Sequence, residues 1–335
     1  MATRTFFIRL DKIGDLVATL PVDQADFVKP EDPTWIVDSS VAFLPELAEP
    51  QRRFFKLDLR HSWQSYKQLK QLFIDEAPTK VVIFYAPWWV SFAAWMAKVP
   101  LRIGRKSQWH SFLFLNKALR QSRSQSEKHE ADYNWELLHF AYSRPAPRIS
   151  PPFLKLQAGL KRHLFDKYQL RSKSYVVVHP GMAGSALNWP QENYNALIER
   201  MTQQDMIVVI TGTKADAPWL TTIAPRWKDH PRVRNLVGLL NIDDLVFILQ
   251  SAKCVIAPST GVLHLGAAAG TPVVGIYSPV KAHHPQRWGP RGLGAQTLLP
   301  KVECPATISC LKEKCKFHPC MTKITVDQVL EKVNL

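Results

Sequence analysis

The chain is short of acidic residues: 28 Asp and Glu stand against 43 Lys and Arg, a net charge of +15. The shortage is local. Residues 51–123 hold 14 Lys and Arg against 3 Asp and Glu, so this stretch alone contributes +11. Such a surface implies a polyanionic partner, either nucleic acid or an anionic membrane carrying a phosphorylated glycolipid, or else a basic face with no specific partner. No recognised nucleic-acid motif accompanies the charge, so nothing but charge speaks for nucleic acid.

An uninterrupted apolar span is also missing. The most apolar window, "VVIFYAPWWVSFAAWMAKV" (81–99), is divided by Pro87 into a strand-like and a helix-like half, which argues against a transmembrane helix. Trp88, Trp89, Phe92 and Trp95 suit a core helix, or one that dips into a membrane interface. The opening "MATRTFFIRLDKIGDLV" lacks the long apolar core and the cleavage site of a secretion signal, and a cytoplasmic protein is expected. There is no internal repeat and no low-complexity tract. With 46% hydrophobic and 21% charged residues the composition is ordinary for a globular protein. At 335 residues the chain exceeds the usual size of one hydrophobic core, so two domains are expected.

Cysteines are few, five in all. Cys254 lies in an apolar strand and reads as core. Cys304, Cys310, Cys315 and Cys320 cluster near the C-terminus with five, four and four residues between them, and His318 is close in sequence. That spacing leaves open free thiols, a structural zinc and disulfides, the last disfavoured in a reducing compartment.

The rhythm of the chain is α/β. "TFFIRL" reads as a buried strand, "DKIGD" as a turn and "LVATLPV" as the start of a helix. "TWIVDSS", "KVVIFYA" and "LRIGR" extend the pattern, and the basic segment after them turns helical in its later half. "RPAPRISPPF" (144–153) is a linker with four prolines. Beyond it, "SYVVVHP", "MIVVITG", "VRNLVGL", "CVIAPST" and "PVVGIYSP" are strands separated by helical segments, and "ITVDQVLEKVNL" is an amphipathic helix. The apolar runs are continuous, as in strands covered on both faces. Two doubly wound domains, residues 1–150 and 151–322, are expected to face a central cleft, with 323–335 packing back toward the first. No strand is followed by Gly-x-Gly-x-x-Gly, which removes the usual signature of a nicotinamide-dependent oxidoreductase.

Two loops have the chemistry of anion sites. In "CVIAPSTGVLHLGAAAG", Ser259, Thr260 and Gly261 open a helix of small residues, where free N–H groups and the helix dipole favour a pyrophosphate. His264 follows one turn later; a lone histidine is often simply a structural donor. In "HPGMAGSALNWP", Gly181, Gly184 and Ser185 offer main-chain and hydroxyl donors but no positive charge.

Together these stretches resemble glycosyltransferase family 9, the heptosyltransferase-like enzymes of bacterial lipopolysaccharide assembly. The matches run in order: "RLDKIGDLVATLP", "HPGMAGSALNWPQENYNAL", "CVIAPSTGVLHLGAAAGTPVVGIYSP" and "HPCMTKITVDQVL". The resemblance implies a GT-B fold of two Rossmann-like domains and transfer, with inversion, from a nucleotide-sugar donor, typically ADP-heptose, to a lipid A and inner-core acceptor. It implies Asp15 as the base, a residue whose plainer reading is a helix N-cap. Gly14 and Lys12 would lie at the acceptor, with Arg60, Arg102, Arg105, Lys106, Arg120 and Arg123 meeting its phosphates and carboxylates. Thr211, Gly212 and Asp216 would join the donor site, Asp216 at the ribose or else as a solvated loop acid. Two departures stand out: Ser259 replaces a common Asp or Asn, and Leu187 falls where some members place a lysine. Main-chain donors, Lys214 or Lys12 would then have to steady the leaving diphosphate. No metal is needed for this chemistry, and a monomer touching the inner membrane only peripherally is expected.

Overall fold

The computed structural model describes residues 4–182 and 187–333. Two compact units divide the chain, Met1–Arg123 with Lys128–Leu154, and Ser124–Glu127 with Lys155–Leu335. The change of unit thus falls at the end of the proline-rich linker, and four residues upstream of it belong to the second unit.

The first unit is a six-stranded parallel sheet built from β1 (Thr5–Arg9), β2 (Thr34–Asp38), β3 (Phe54–Leu57), β4 (Lys80–Tyr85), β5 (Leu101–Arg105) and β6 (Lys117–Leu119). Their spatial order is β3-β2-β1-β4-β5-β6. β1 is buried along its whole length because helices cover both faces of the sheet. Phe6, Ile8, Ile36, Val81 and Ile83 meet Phe73 of helix Ser62–Glu76 and Val90 of helix Trp88–Met96 in one core.

The second unit repeats the plan with β7 (Tyr175–Val178), β8 (Ile207–Ile210), β9 (Val233–Asn235), β10 (Cys254–Pro258), β11 (Val273–Ile276) and β12 (Ala295–Leu298). The order is β12-β11-β10-β7-β8-β9, again all parallel. Renumbered within each unit, both orders read 3-2-1-4-5-6. In each, the strand order reverses between the first and fourth strands, and ligands of such sheets sit at the carboxyl ends beside that point. The closing helix Val326–Val333 contacts helix Gln191–Gln203 and β11. Its Val329 and Val333 lie in the core with Tyr194, Leu197 and Val274, because the amphipathic stripe finds its apolar partners there.

Three edge strands, β3, β6 and β12, are short, of three or four residues, and carry no long apolar run in the sequence. Their side chains are largely half-buried or exposed, so the sequence had no need of one.

Candidate active site

In the first unit the reversal point lies between β1 and β4, and the loops after both strands converge there. Asp15 is the third residue of the short helix Ile13–Val17, whose N-cap is Lys12 with no side-chain cap bond. Asp15 is therefore no cap. Its Oδ1 accepts from Arg9 Nη2 at 2.6 Å. Arg9, only 2% exposed, also donates to Asp11 Oδ1 at 2.7 Å and to Glu130 Oε1 at 3.2 Å. A buried guanidinium at the end of β1 thus meets three carboxylates, the arrangement such a charge requires.

Asp11 was not singled out from the sequence. Burial pushes its carboxyl up to about 7, against the pull of Arg9 and with the help of the Asp15 charge, to which it is also hydrogen-bonded. Two carboxyls held by one buried cation stand together at the end of β1. Glu130 in turn binds Arg123, and Asn134 accepts from Arg123 at 3.0 Å, both from helix Glu130–Ala141.

The loop after β4 adds a pocket that the sequence did not announce. A cavity of about 520 Å³ at the carboxyl ends of β4 and β5 is lined by Tyr85, Trp88, Ser91, Arg105, Trp109 and His110, among others. Tyr85 lies between two guanidinium groups, Arg9 at 5.7 Å and Arg105 at 5.4 Å from its ring centre, which links the pocket to the Asp15 cluster. Ser91 Oγ and His110 Nδ1 are 3.1 Å apart, and burial holds the imidazole below its ordinary value.

The acceptor cations expected from the sequence separate into three groups. Arg105 lines this pocket, and Lys106 sits over the Phe112 ring at 5.1 Å. Lys12 and Arg120 are exposed, and Gly14 is the second residue of the Asp15 helix. Arg60 is exposed and paired with Asp58 at 2.7 Å. Arg102 and Arg123 depart from the expected role. Arg102 donates to the carbonyls of Phe114 and Val99 at 2.7 and 2.6 Å, and Arg123 is 5% exposed within the Glu130 network. Their guanidinium groups hold the fold together, because those carbonyls and carboxylates would otherwise be left unsatisfied.

In the second unit the reversal point lies between β7 and β10, with the two expected donor loops on either side. After β7, His179 is buried, its Nδ1 3.0 Å from Thr211 Oγ1, and burial depresses its pKa to about 4. Gly181 follows, where a Cβ would come within 2.5 Å of the Asp216 carboxyl carbon. Gly184 and Ser185 lie outside the described residues. Asp216 itself is buried and accepts from Thr213 N at 2.9 Å and Thr213 Oγ1 at 2.7 Å, closing a capping box on Lys214–Trp219. It is neither a solvated loop acid nor free of a structural duty. Gly212 packs beside Leu220 and Val237, and Lys214 is exposed.

After β10, Thr260 is the N-cap of helix Gly261–Ala268 in an extended conformation, with no side-chain cap bond. Its Oγ1 is buried and has no hydrogen-bond partner among the described residues, unusual for a hydroxyl out of water. Ser259 lies against the Tyr277 hydroxyl, and His264 is buried one turn in. The helix approaches the sheet through Gly266, where a Cβ would be 3.1 Å from Val255 and Val273. Free helix N–H groups and an unpartnered hydroxyl make this turn an anion site by chemistry.

Leu187 is half-buried. It packs on the core of the second unit and lines a cavity of about 10 Å³ with Cys304, Cys310, Cys315, Cys320 and His318. All five cysteines are free. Among the described residues no three His, Cys, Asp or Glu side chains are gathered closely enough to hold a metal ion. The four thiols and His318 share one cavity wall.

The fold is that of the GT-B glycosyltransferases. The model of glycosyltransferase family 9 (heptosyltransferase) matches residues 81–320. The chain belongs to that family and is a glycosyltransferase. It is 27% identical over 296 residues to a Haemophilus influenzae protein provisionally called a glycosyltransferase, covering 84% of each. It is 24% identical to the lipopolysaccharide core heptosyltransferase OpsX of the same species, over 84% of this chain and 80% of OpsX. Among solved structures, E. coli ADP-heptose lps heptosyltransferase II superposes with a TM-score of 0.76 at 17% identity, covering 99% of this chain and 98% of that one.

Proposed function

We propose that the enzyme is an inverting heptosyltransferase that moves heptose from ADP-heptose to a hydroxyl of a lipopolysaccharide core or related glycolipid. One observation carries the reading: in both sheets the motif-bearing loops flank the reversal of strand order, Asp11 to Asp15 beside Tyr85 in one, Gly181 beside Thr260 in the other.

In this scheme the acceptor oxygen attacks the anomeric carbon as the bond from that carbon to the diphosphate oxygen breaks. The acceptor proton passes to the Asp15 carboxylate, which Arg9 holds in place. The departing diphosphate takes up the electron pair and is met by the N–H groups and hydroxyl at Thr260 and Gly261 and by the main chain at Gly181. Neutral, buried His179 braces Thr211 behind this loop. Arg105 in the 520 Å³ pocket takes an acidic group of the acceptor. The enzyme acts as a monomer at the cytoplasmic face of the inner membrane, with no nucleic acid as partner. Among the described residues no helix is long and apolar enough to cross a membrane.

A second reading, transfer from another nucleotide-sugar in surface polysaccharide synthesis, is favoured by Leu187. A lysine there would give the diphosphate a cation, and here a half-buried apolar side chain packs against the core instead.

The test is a melting-temperature screen of nucleotide-sugars followed by mass analysis of the product. ADP-heptose should raise the melting temperature and yield an acceptor heavier by one heptose. Asp15→Asn should bind the donor as before and lose transfer by about 10² to 10⁴-fold. Stabilisation by a different nucleotide-sugar alone would transfer the case to the second reading, and full turnover by Asp15→Asn would remove the base.

A further inference from the structure

We infer that the face formed by helices Ser62–Glu76, Trp88–Met96 and Trp109–Phe114 of the first unit docks on an anionic phospholipid bilayer. Water normally sees large apolar side chains singly. Here Trp63, Trp109, Phe112 and Leu113 are 61 to 68% exposed, with Trp88 and Trp95 close to half exposed. Trp63, Trp88, Trp95 and Trp109 also belong to one run of rings. Trp63 stacks on Tyr66 at 5.4 Å, Tyr66 on Phe92 at 5.7 Å and Phe92 on Trp95 at 5.9 Å, while Phe114 joins Phe92 at 5.2 Å and Trp109 joins Trp88 at 5.9 Å. Of the tryptophans in the apolar window, only Trp89 turns inward, 8% exposed.

The charge around this face selects its partner. Between Glu76 and Glu127 the chain has eight Lys and Arg and no acidic residue. Lys67 lies over the Trp63 ring at 5.3 Å and Lys106 over Phe112 at 5.1 Å, so cations border the aromatics directly. Protein interfaces tend to exclude lysine from such patches. A lipid headgroup layer does the opposite: indoles and phenyl rings settle at the boundary of headgroup and acyl chain, and lysine stems reach along them to the phosphates. The helices run along the surface, at most 15 residues long, so contact is superficial.

The same face borders the candidate acceptor pocket, since Trp88 and Trp109 line both. What the docked face delivers, the sugar headgroup of a membrane-held glycolipid, rests on the proposed function. The docking itself does not.

The experiment is cosedimentation of the full chain with vesicles of phosphatidylcholine alone or of phosphatidylcholine with phosphatidylglycerol, without donor or acceptor. The chain should bind the phosphatidylglycerol vesicles at least about tenfold more tightly than the neutral ones. Trp63→Ser, Trp109→Ser and Phe112→Ser combined should weaken that binding about tenfold or more, with circular dichroism showing an unchanged fold. Lys67→Gln with Lys106→Gln, which leaves the aromatics in place, should abolish the preference for anionic vesicles and supplies the answer if the aromatic variant does not fold. Sedimentation velocity on the same samples reads the rival occupant. A dimer that the serine or glutamine substitutions dissociate would assign the face to a second copy and overturn the proposal, as would wild-type protein that stays in the supernatant with both vesicles. Wild-type protein that transfers sugar to a soluble acceptor yet binds neither vesicle would refute the docking and leave the proposed function standing.

Discussion

Arg9 organises the residues that matter most. It is the last residue of β1, buried with Asp11, Asp15 and Glu130 around it, and burial alone would make an unpaired guanidinium untenable there. The sequence made Asp15 visible through its motif and placed Asp11 four positions before it. It could not show that one arginine would tie them, because Glu130 arrives from more than a hundred residues away. The Asp11 carboxyl, pushed up to about 7 by burial, makes a prediction about stability. A group whose folded pKa lies above its unfolded value near 4 binds its proton more tightly in the folded protein. Its stabilising contribution is then whole below pH 4 and is lost as pH rises to 7. Asp11→Asn should remove that loss, so the melting temperature of the variant relative to wild type should be higher at pH 8 than at pH 5. Equal differences at the two pH values would show that Asp11 is not protonated in the folded state.

At the scale of elements, the donor loop depends on a glycine and a cap that hold each other. A Cβ at residue 181 would lie 2.5 Å from the Asp216 carboxyl carbon, while that carboxylate caps Lys214–Trp219 through Thr213. Gly181→Ala should therefore displace the cap and cost about 1 to 3 kcal/mol, read as a lower melting temperature, with weaker binding of the donor nucleotide. An unchanged melting temperature would mean the loop has room that the geometry denies. Here the sequence misled in an instructive way. Asp216 was placed near the donor site, and it is near, yet its known partners belong to the protein. A short turn with Thr three residues before Asp is a capping box as readily as a ribose clamp. Arg102 and Arg123 carry the same lesson: an arginine in a basic segment looks like a surface cation until the fold brings it a carbonyl or a buried glutamate.

For the whole molecule, the proposed function assigns the acceptor to one unit and the donor to the other. The Asp15 cluster, Tyr85 and Arg105 lie in the first unit, and Gly181, Thr260 and His264 in the second. Arg105→Ala should raise KM for the acceptor about tenfold with little effect on donor binding, the loss of one charge-assisted contact. Thr260→Val, which removes the hydroxyl and keeps the shape, should weaken donor binding by a similar factor and leave acceptor KM unchanged. Steady-state kinetics with each substrate varied in turn, and calorimetry with the nucleotide, would read both. Equal loss of both substrates in either variant would overturn the assignment of units to substrates.

The sequence by itself determined nine of the strands, the place of the linker, the two motif loops and the family, because all of these are local: apolar runs, turn residues and a helix opening are written within a dozen residues. Only the tertiary structure decided which cations face solvent, that Asp15 is held by Arg9 rather than capping its helix, that Leu187 packs against the core, and that a row of aromatic rings lies bare beside a pocket. Each of these depends on partners distant in the chain, and burial and charge pairing are properties of what the fold brings together, which no short window of sequence contains.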